Sequence, residues 1–163
     1  MGYDTTFMGS ISVEPPLNQS EIDFLSDLSQ TRRMDRVKGP LYVGGEASPA
    51  GGQSKDIHDY NQPHPDQPGL WLQWIATEDG SAIEWDENEK FYYSLEWMTY
   101  IIDHLFSPSA REYVARNHTG DKRLNDFTFD HLFNGSIIAQ GEDPSDRWKL
   151  IVKDNVVSEV TLE

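Results

Sequence analysis

Four of the chain's cations stand within seven positions: Arg32, Arg33, Arg36 and Lys38. A guanidinium fork binds phosphate or carboxylate bidentately. Trp71, Trp74 and Trp85 are large enough to stack a base beside such a fork. Together these residues would make a pocket for a nucleotide or another small anionic ligand. The competing reading is structural, because cations behind a helix complement its dipole and pair with carboxylates elsewhere. No glycine-rich phosphate loop of the Walker or dinucleotide type accompanies them.

Negative charge gathers further along. Glu78, Asp79, Glu84, Asp86, Glu87, Glu89 and Glu96 are opposed only by Lys90. A one-signed surface of this kind can imitate phosphate and be steered into a basic groove by its long-range field. The leading expectation is therefore a non-enzymatic acidic protein that docks on a protein partner with a basic surface. An inhibitor of a nucleic-acid-binding or defence protein is its concrete form, with Glu78, Asp79, Glu84, Asp86, Glu87 and Glu89 in contact. The plainer reading is a solvated face, with Asp86, Glu87 and Glu89 placed where carboxylates favour a helix N-terminus.

A third reading is a metal-dependent enzyme built on His58, Asp59 and His64, with general-base chemistry beside the metal. His58 and Asp59 are adjacent, with His64 and Asp66 nearby, and imidazole plus carboxylate suits zinc, manganese or iron. Asp103, His104, Asp130 and His131 would add ligands only if the fold gathers them, and His118 reads as a surface residue. No His pair at i,i+4 lies on an expected helix, so no metal or other cofactor is expected. There is no G-x-S-x-G elbow for serine hydrolysis. With no cysteine, thiolate zinc, iron–sulfur ligation and a cysteine nucleophile are all excluded.

The elements that must position these groups follow from composition and periodicity. The chain has 163 residues and a net charge of −15. That balance argues against binding duplex nucleic acid through a broad basic face. Five Trp, seven Tyr and seven Phe argue against disorder, since such side chains dominate cores. No apolar run is long enough for a membrane span or a signal-peptide h-region, so a cytoplasmic protein is expected.

Phe7, Ile11 and Val13 alternate in a strand over 7–13, which Pro15-Pro16 stops. Asn18 stands three residues before Glu21, a capping-box spacing, and Ile22, Leu25 and Leu28 mark a helix at 19–30. Residues 44–69 are rich in Gly and Pro and poor in aliphatics, and read as a long loop. Runs at 70–76 and 82–85 flank Asp79-Gly80 as a hairpin. Phe91, Leu95, Met98, Ile102 and Leu105 recur at helical steps, with Tyr92 and Ile101 widening the stripe, and predict a long helix over 88–106. Ser107-Pro108 restarts a short helix to about 116. Strands are expected at 127–133, 136–142, 147–153 and 156–162.

One internal echo links the ends of the chain: Phe7-x-Gly9-Ser10-Ile11-x-Val13 matches Phe133-x-Gly135-Ser136-Ile137-x-Ala139. The two strands are expected to be neighbours that bend alike, because Gly within a strand marks a bulge or close approach. The order of elements predicts a single α+β domain: a mostly antiparallel sheet packed on one long and two short helices, with ferredoxin-like connectivity as one version.

The strings Tyr3-Asp4, Gly9-Ser10-Ile11, Glu14-Pro15-Pro16-Leu17, Thr31-Arg32-Arg33-Met34, Gln67-Pro68-Gly69-Leu70-Trp71, Gln73-Trp74, Thr77-Glu78-Asp79-Gly80, Glu89-Lys90-Phe91-Tyr92, Asn134-Gly135 and Gln140-Gly141-Glu142-Asp143 span nearly the whole chain. In them the chain resembles a family of small uncharacterised actinobacterial and bacteriophage proteins. Many of those relatives carry a Cys between the two tryptophans, where this chain has Leu72. The resemblance implies provenance, with no activity attached.

Overall fold

The computed structural model describes residues 2–43 and 56–163. Strand β1 (Thr5–Glu14) is followed by helix α1 (Gln19–Gln30), then by a short strand β2 (Met34–Arg36) paired with β3 (Ile57–Pro63). The hairpin is β4 (Trp74–Ala76) and β5 (Ala82–Trp85). Helix α2 (Ser94–Ile101) runs on as a π turn at Ile102–Phe106, and α3 (Arg111–Arg116) follows a 3-10 turn at Pro108–Ala110. A meander of β6 (Leu132–Gly141), β7 (Arg147–Lys153) and β8 (Val156–Thr161) ends the chain.

The six-stranded sheet has the order β4-β5-β1-β6-β7-β8, and every pairing in it is antiparallel. The α+β class holds. So does the ferredoxin-like connectivity: the crossovers β1-α1-β4 and β5-α2-β6 each leave one antiparallel strand between the two they join, which gives the order β4-β5-β1-β6, and β7 and β8 extend that sheet. Alternation sorts the sheet's two faces. Phe7, Ile11, Val13, Ile83, Phe133, Ile137, Ala139, Leu150 and Val152 are buried against the helices, whereas Met8, Ser12, Glu84 and Val160 are exposed.

The echo is a structural device. In the β1–β6 ladder Ser10 faces Ser136, Gly9 faces Ile137 and Ile11 faces Gly135, so the motif is its own partner about the two serines. Gly9 has φ +115 and Gly135 φ +146. A Cβ on Gly135 would meet the Ser10 carbonyl at 3.0 Å, and one on Gly9 the Ser136 carbonyl at 2.9 Å. Gly135→Ala is expected to cost about 1–3 kcal/mol through a strained φ and this backbone clash, read as a lower urea midpoint at unchanged slope.

The capping box on α1 forms as its sequence predicts. Glu21 N donates to Asn18 Oδ1 at 2.9 Å and Asn18 N to Glu21 Oε1 at 2.8 Å. Three expectations change. Of the loop at 44–69, residues 44–55 lie outside the described residues, and Ile57–Pro63 is a strand rather than loop. The long helix begins at Ser94, so Asp86, Glu87 and Glu89 do not sit at its N-terminus. The strand expected at 127–133 is irregular as far as His131, and Phe127 and Phe129 turn into the core there.

Candidate functional site

A cleft of about 690 Å³ opens between the end of β3, the segment leading into β4 and the segment leading into α2. Pro63, Pro68, Gly69 and Leu70 give it an apolar base, and Asn61, Gln62 and Gln73 give it amides. Trp71, Tyr92 and Tyr93 line it while remaining 42%, 48% and 58% exposed. Arg32, Lys90 and Glu89 supply the charges. A shallower depression of about 410 Å³ shares Trp71, Gln73 and Glu89 with it.

Each wall has identifiable supports. Arg33 N donates to the Leu70 carbonyl at 2.7 Å, which holds the strip carrying Trp71 beside the end of α1. Gln73 is nearly buried; its Nε2 donates to the Glu89 carbonyl and its backbone carbonyl accepts from Asp86 N. On the far side Lys90 N donates to Asp4 Oδ1 at 2.9 Å, and Tyr3 N to Tyr92 Oη at 3.2 Å. This wall carries unusual backbone: Glu87, Lys90 and Tyr93 have φ of 69°, 58° and 62°. Left-handed conformations cost free energy in any residue with a Cβ and concentrate at ligand clamps and active sites.

Neighbouring arginines have different fates. Arg32 is half-buried, and its Nε donates to the Tyr60 carbonyl at 3.1 Å. Among the described residues its two terminal nitrogens have no partner, and the residue lines the cleft. Arg33 is 1% exposed and donates to the carbonyls of Thr31, Pro40 and Tyr42 at 3.0, 2.9 and 2.8 Å. Burial, with a smaller push from Arg36, lowers its pKa to about 9, which leaves it charged at neutral pH. Arg36 is buried, donates to the Arg32 carbonyl at 3.3 Å and lies over the Tyr42 ring.

The expected ligand set Arg32, Arg33, Arg36, Trp71 and Trp74 is thereby corrected. Arg32 and Trp71 meet in the cleft. Arg33 and Arg36 are held inside because their guanidinium groups serve loop carbonyls. Trp74 is fully buried against Phe7 and Phe91, and its Nε1 donates to the Ser94 carbonyl at 2.8 Å. Lys38 stands over the other part of Tyr42's surroundings, 4.7 Å from the ring centroid. Tyr92 and Tyr93 were missed, because the apolar period of α2 runs on into residues that are not helical.

The acidic residues do not form one patch. Glu78 and Asp79 lie at the turn of the hairpin, and Asp86, Glu87 and Glu89 beyond the other end of β5, on the order of 15–20 Å away along the strand. Asp79 is spent on its own turn, accepting from Thr77 Oγ1, Ser81 N and Ser81 Oγ, and these hydrogen bonds hold its pKa below the usual range. Asp86 accepts from Asn88 N and Nδ2. Glu89 pairs with Lys90 at 3.0 Å. Glu78, Glu84 and Glu87 are exposed.

The histidines stay apart. His58 lies near the start of β3 and His64 just past its end, roughly 20 Å apart along an extended strand. His58 reaches Asp35 at 3.5 Å, Asp59 accepts from Asn61 N, and His64 accepts from Asp66 N. Among the described residues no group of three or more His, Asp or Glu is placed to hold a metal ion. His104, next to Asp103 on the π turn, stacks on Tyr100 with ring centroids 4.7 Å apart. His131 is buried on Glu21, far from any solvent-facing role, with Asp130 at 3.7 Å. His118 is exposed and bonds Asn125.

No described helix is long and apolar enough to cross a membrane. Comparison of the chain with protein-family models, with curated proteins and with solved structures finds no match.

Proposed function

We propose that this protein is a small-ligand binding module that takes a planar anionic ligand, a nucleotide being the chemistry that fits, in the cleft between Arg32 and Trp71. The observation that carries the reading is the convergence of an uncommitted guanidinium fork with three exposed aromatic rings in one concavity. A base stacks on Trp71 or Tyr92, which is worth about 1–3 kcal/mol per base. Arg32 takes the phosphate, and the amides of Asn61 and Gln62 are in the lining to meet the polar edges of the base. A chain of net charge −15 repels a long polyanion, and a mononucleotide suffers far less of that repulsion.

The test is a thermal-shift screen with the common mononucleotides. A ligand at about one hundred times its Kd stabilises by about 2.7 kcal/mol, or roughly 5–10 °C for a domain of this size. Arg32→Ala should leave the unliganded Tm within about 2 °C and weaken binding by about tenfold or more. No shift with any nucleotide rejects the reading.

A second reading is the acidic docking protein, in its concrete form a phage-borne inhibitor. What favours it is that Glu78, Glu84 and Glu87 are exposed and have no cation partner among the described residues. Charge reversal at Asp86, Glu87 and Glu89 should then abolish capture of a basic protein at low salt; retained capture removes this surface.

A further inference from the structure

Beneath the cleft lies a donor with nothing to donate to. Trp97 is 0% exposed, and among the described residues its Nε1 has no hydrogen-bond partner. Leaving such a bond unmade is costly, and natural folds leave few of them. The contrast with Trp74 is direct, since that equally buried indole is satisfied by the Ser94 carbonyl. The Trp97 ring is fixed edge-on against Tyr100, with centroids 5.4 Å apart, so the N–H direction is set.

What separates this N–H from the cleft is Gly69 and the ring of Tyr93. A Cβ on Gly69 would stand 3.6 Å from Trp97 Nε1 and 3.0 Å from Tyr93 Cδ2. Even a methyl group there would be crowded by the Tyr93 ring, so the space beside the indole nitrogen is closed by Tyr93. Both Gly69 and Tyr93 line the cleft. Tyr93 is anchored at its carbonyl, which accepts from Trp97 N at 2.8 Å and starts α2, while its side chain is 58% exposed. Rotation of the ring off Gly69 therefore requires no unwinding of the helix. The backbone at Tyr93 is held at φ 62, a conformation retained at a cost.

We propose that the Trp97 indole N–H is a concealed hydrogen-bond donor of this cleft, reached by an uncharged acceptor of the ligand, a ring nitrogen or carbonyl of the stacked base, when Tyr93 swings off Gly69. The proposal rests on the cleft being a nucleotide site and adds to it what the base must offer. Arg32 selects for an anion; Trp97 selects for an acceptor on the ring. Purely apolar rings fit the aromatic walls but leave the donor unmade, so they bind more weakly.

The experiment is a titration of the 15N-labelled wild-type chain with AMP, GMP, CMP and UMP, following the indole N–H signals of its five tryptophans. The expected result is that one nucleotide moves the Trp71 and Trp97 signals with the same midpoint, Trp97 downfield as its proton gains an acceptor. Trp97→Phe should then raise Kd about five- to tenfold. Movement of Trp71 with Trp97 stationary overturns the concealed donor and leaves the nucleotide site standing. No movement of either signal with any nucleotide overturns both. Should Trp97→Phe fail to fold, Tyr93→Ala decides instead: with the flap removed, solvent exchange of the Trp97 N–H should accelerate at least about tenfold, and an unchanged rate rejects the gate.

Discussion

Replacing His131 by Phe should lower stability by about 3–5 kcal/mol, the usual consequence of breaking a buried ion pair from one side. For a domain of this size that is a Tm loss of roughly 10 °C or more. Glu21 is 0% exposed and His131 2%, and they meet at 2.8 Å. Glu21 also accepts from Asn18 N on one oxygen and from Thr128 N on the other. The other ring nitrogen of His131 donates to the Pro15 carbonyl at 2.6 Å. Protonation puts a donor on both ring nitrogens, and each then faces an acceptor. Burial alone would depress its pKa, but the hydrogen bonds to Glu21 and Pro15, with Asp130 nearby, outweigh burial and raise it. A raised folded pKa means that the contribution is complete below the unfolded value of about 6.5 and is lost as pH rises through the folded value. Wild-type Tm should therefore fall as pH rises above about 6.5 and through the raised folded value, and the Phe variant should lose that slope. A variant as stable as wild type, or one with the same slope, would show that the pair contributes nothing.

This pair also shows where sequence reading stops. The capping box was legible, because Asn18 and Glu21 are three residues apart and both hydrogen bonds are local. Nothing local says that Glu21 also holds a histidine 110 residues away. The β1–β6 pairing was legible for a different reason. Its motif occurs twice, and two strands that each need a glycine where a neighbour's carbonyl presses in are fitted to one another. The hairpin was legible through its Asp-Gly turn. Strand β3 was not, since His58, Asp59, Asn61 and Gln62 are exposed and leave no apolar alternation to read.

The cleft fell between these cases. Trp71 and Arg32 stood out by type, but Tyr92 and Tyr93 were absorbed into the helical stripe that Phe91 extends. Phe91 is buried on Phe7 and Trp74 without being helical, so apolar period and backbone conformation part company over 86–93. The three left-handed residues that break the helix there are Glu, Lys and Tyr rather than Gly, and types of this kind carry no turn signal.

Arg33→Met should be as damaging to the fold as Arg32→Ala is harmless to it, although the two residues are adjacent. Arg33 sits where three carbonyls converge and no carboxylate does. Met keeps much of the volume and removes every donor. The Pro40 carbonyl would still accept from Gln67 Nε2 at 2.8 Å, so the loss falls on Thr31 and Tyr42. Two buried acceptors left unmade cost about 2–5 kcal/mol together, and a Tm loss of roughly 5–15 °C follows. Methionine recovers part of this by taking a buried charge out of the interior, which is why the lower end of the range is the expected one. Arg33→Lys retains the charge but only one direction of reach, and should recover little, since a point charge does not replace a fork serving three acceptors. Ligand affinity separates the pair. Measured well below its lowered Tm, Arg33→Met should bind within about threefold of wild type if the cleft survives, whereas Arg32→Ala should lose affinity at full stability. If instead Arg32→Ala melts early and Arg33→Met does not, the assignment of one arginine to the fold and the other to the ligand is inverted, and the cleft would have to be redrawn around Arg33.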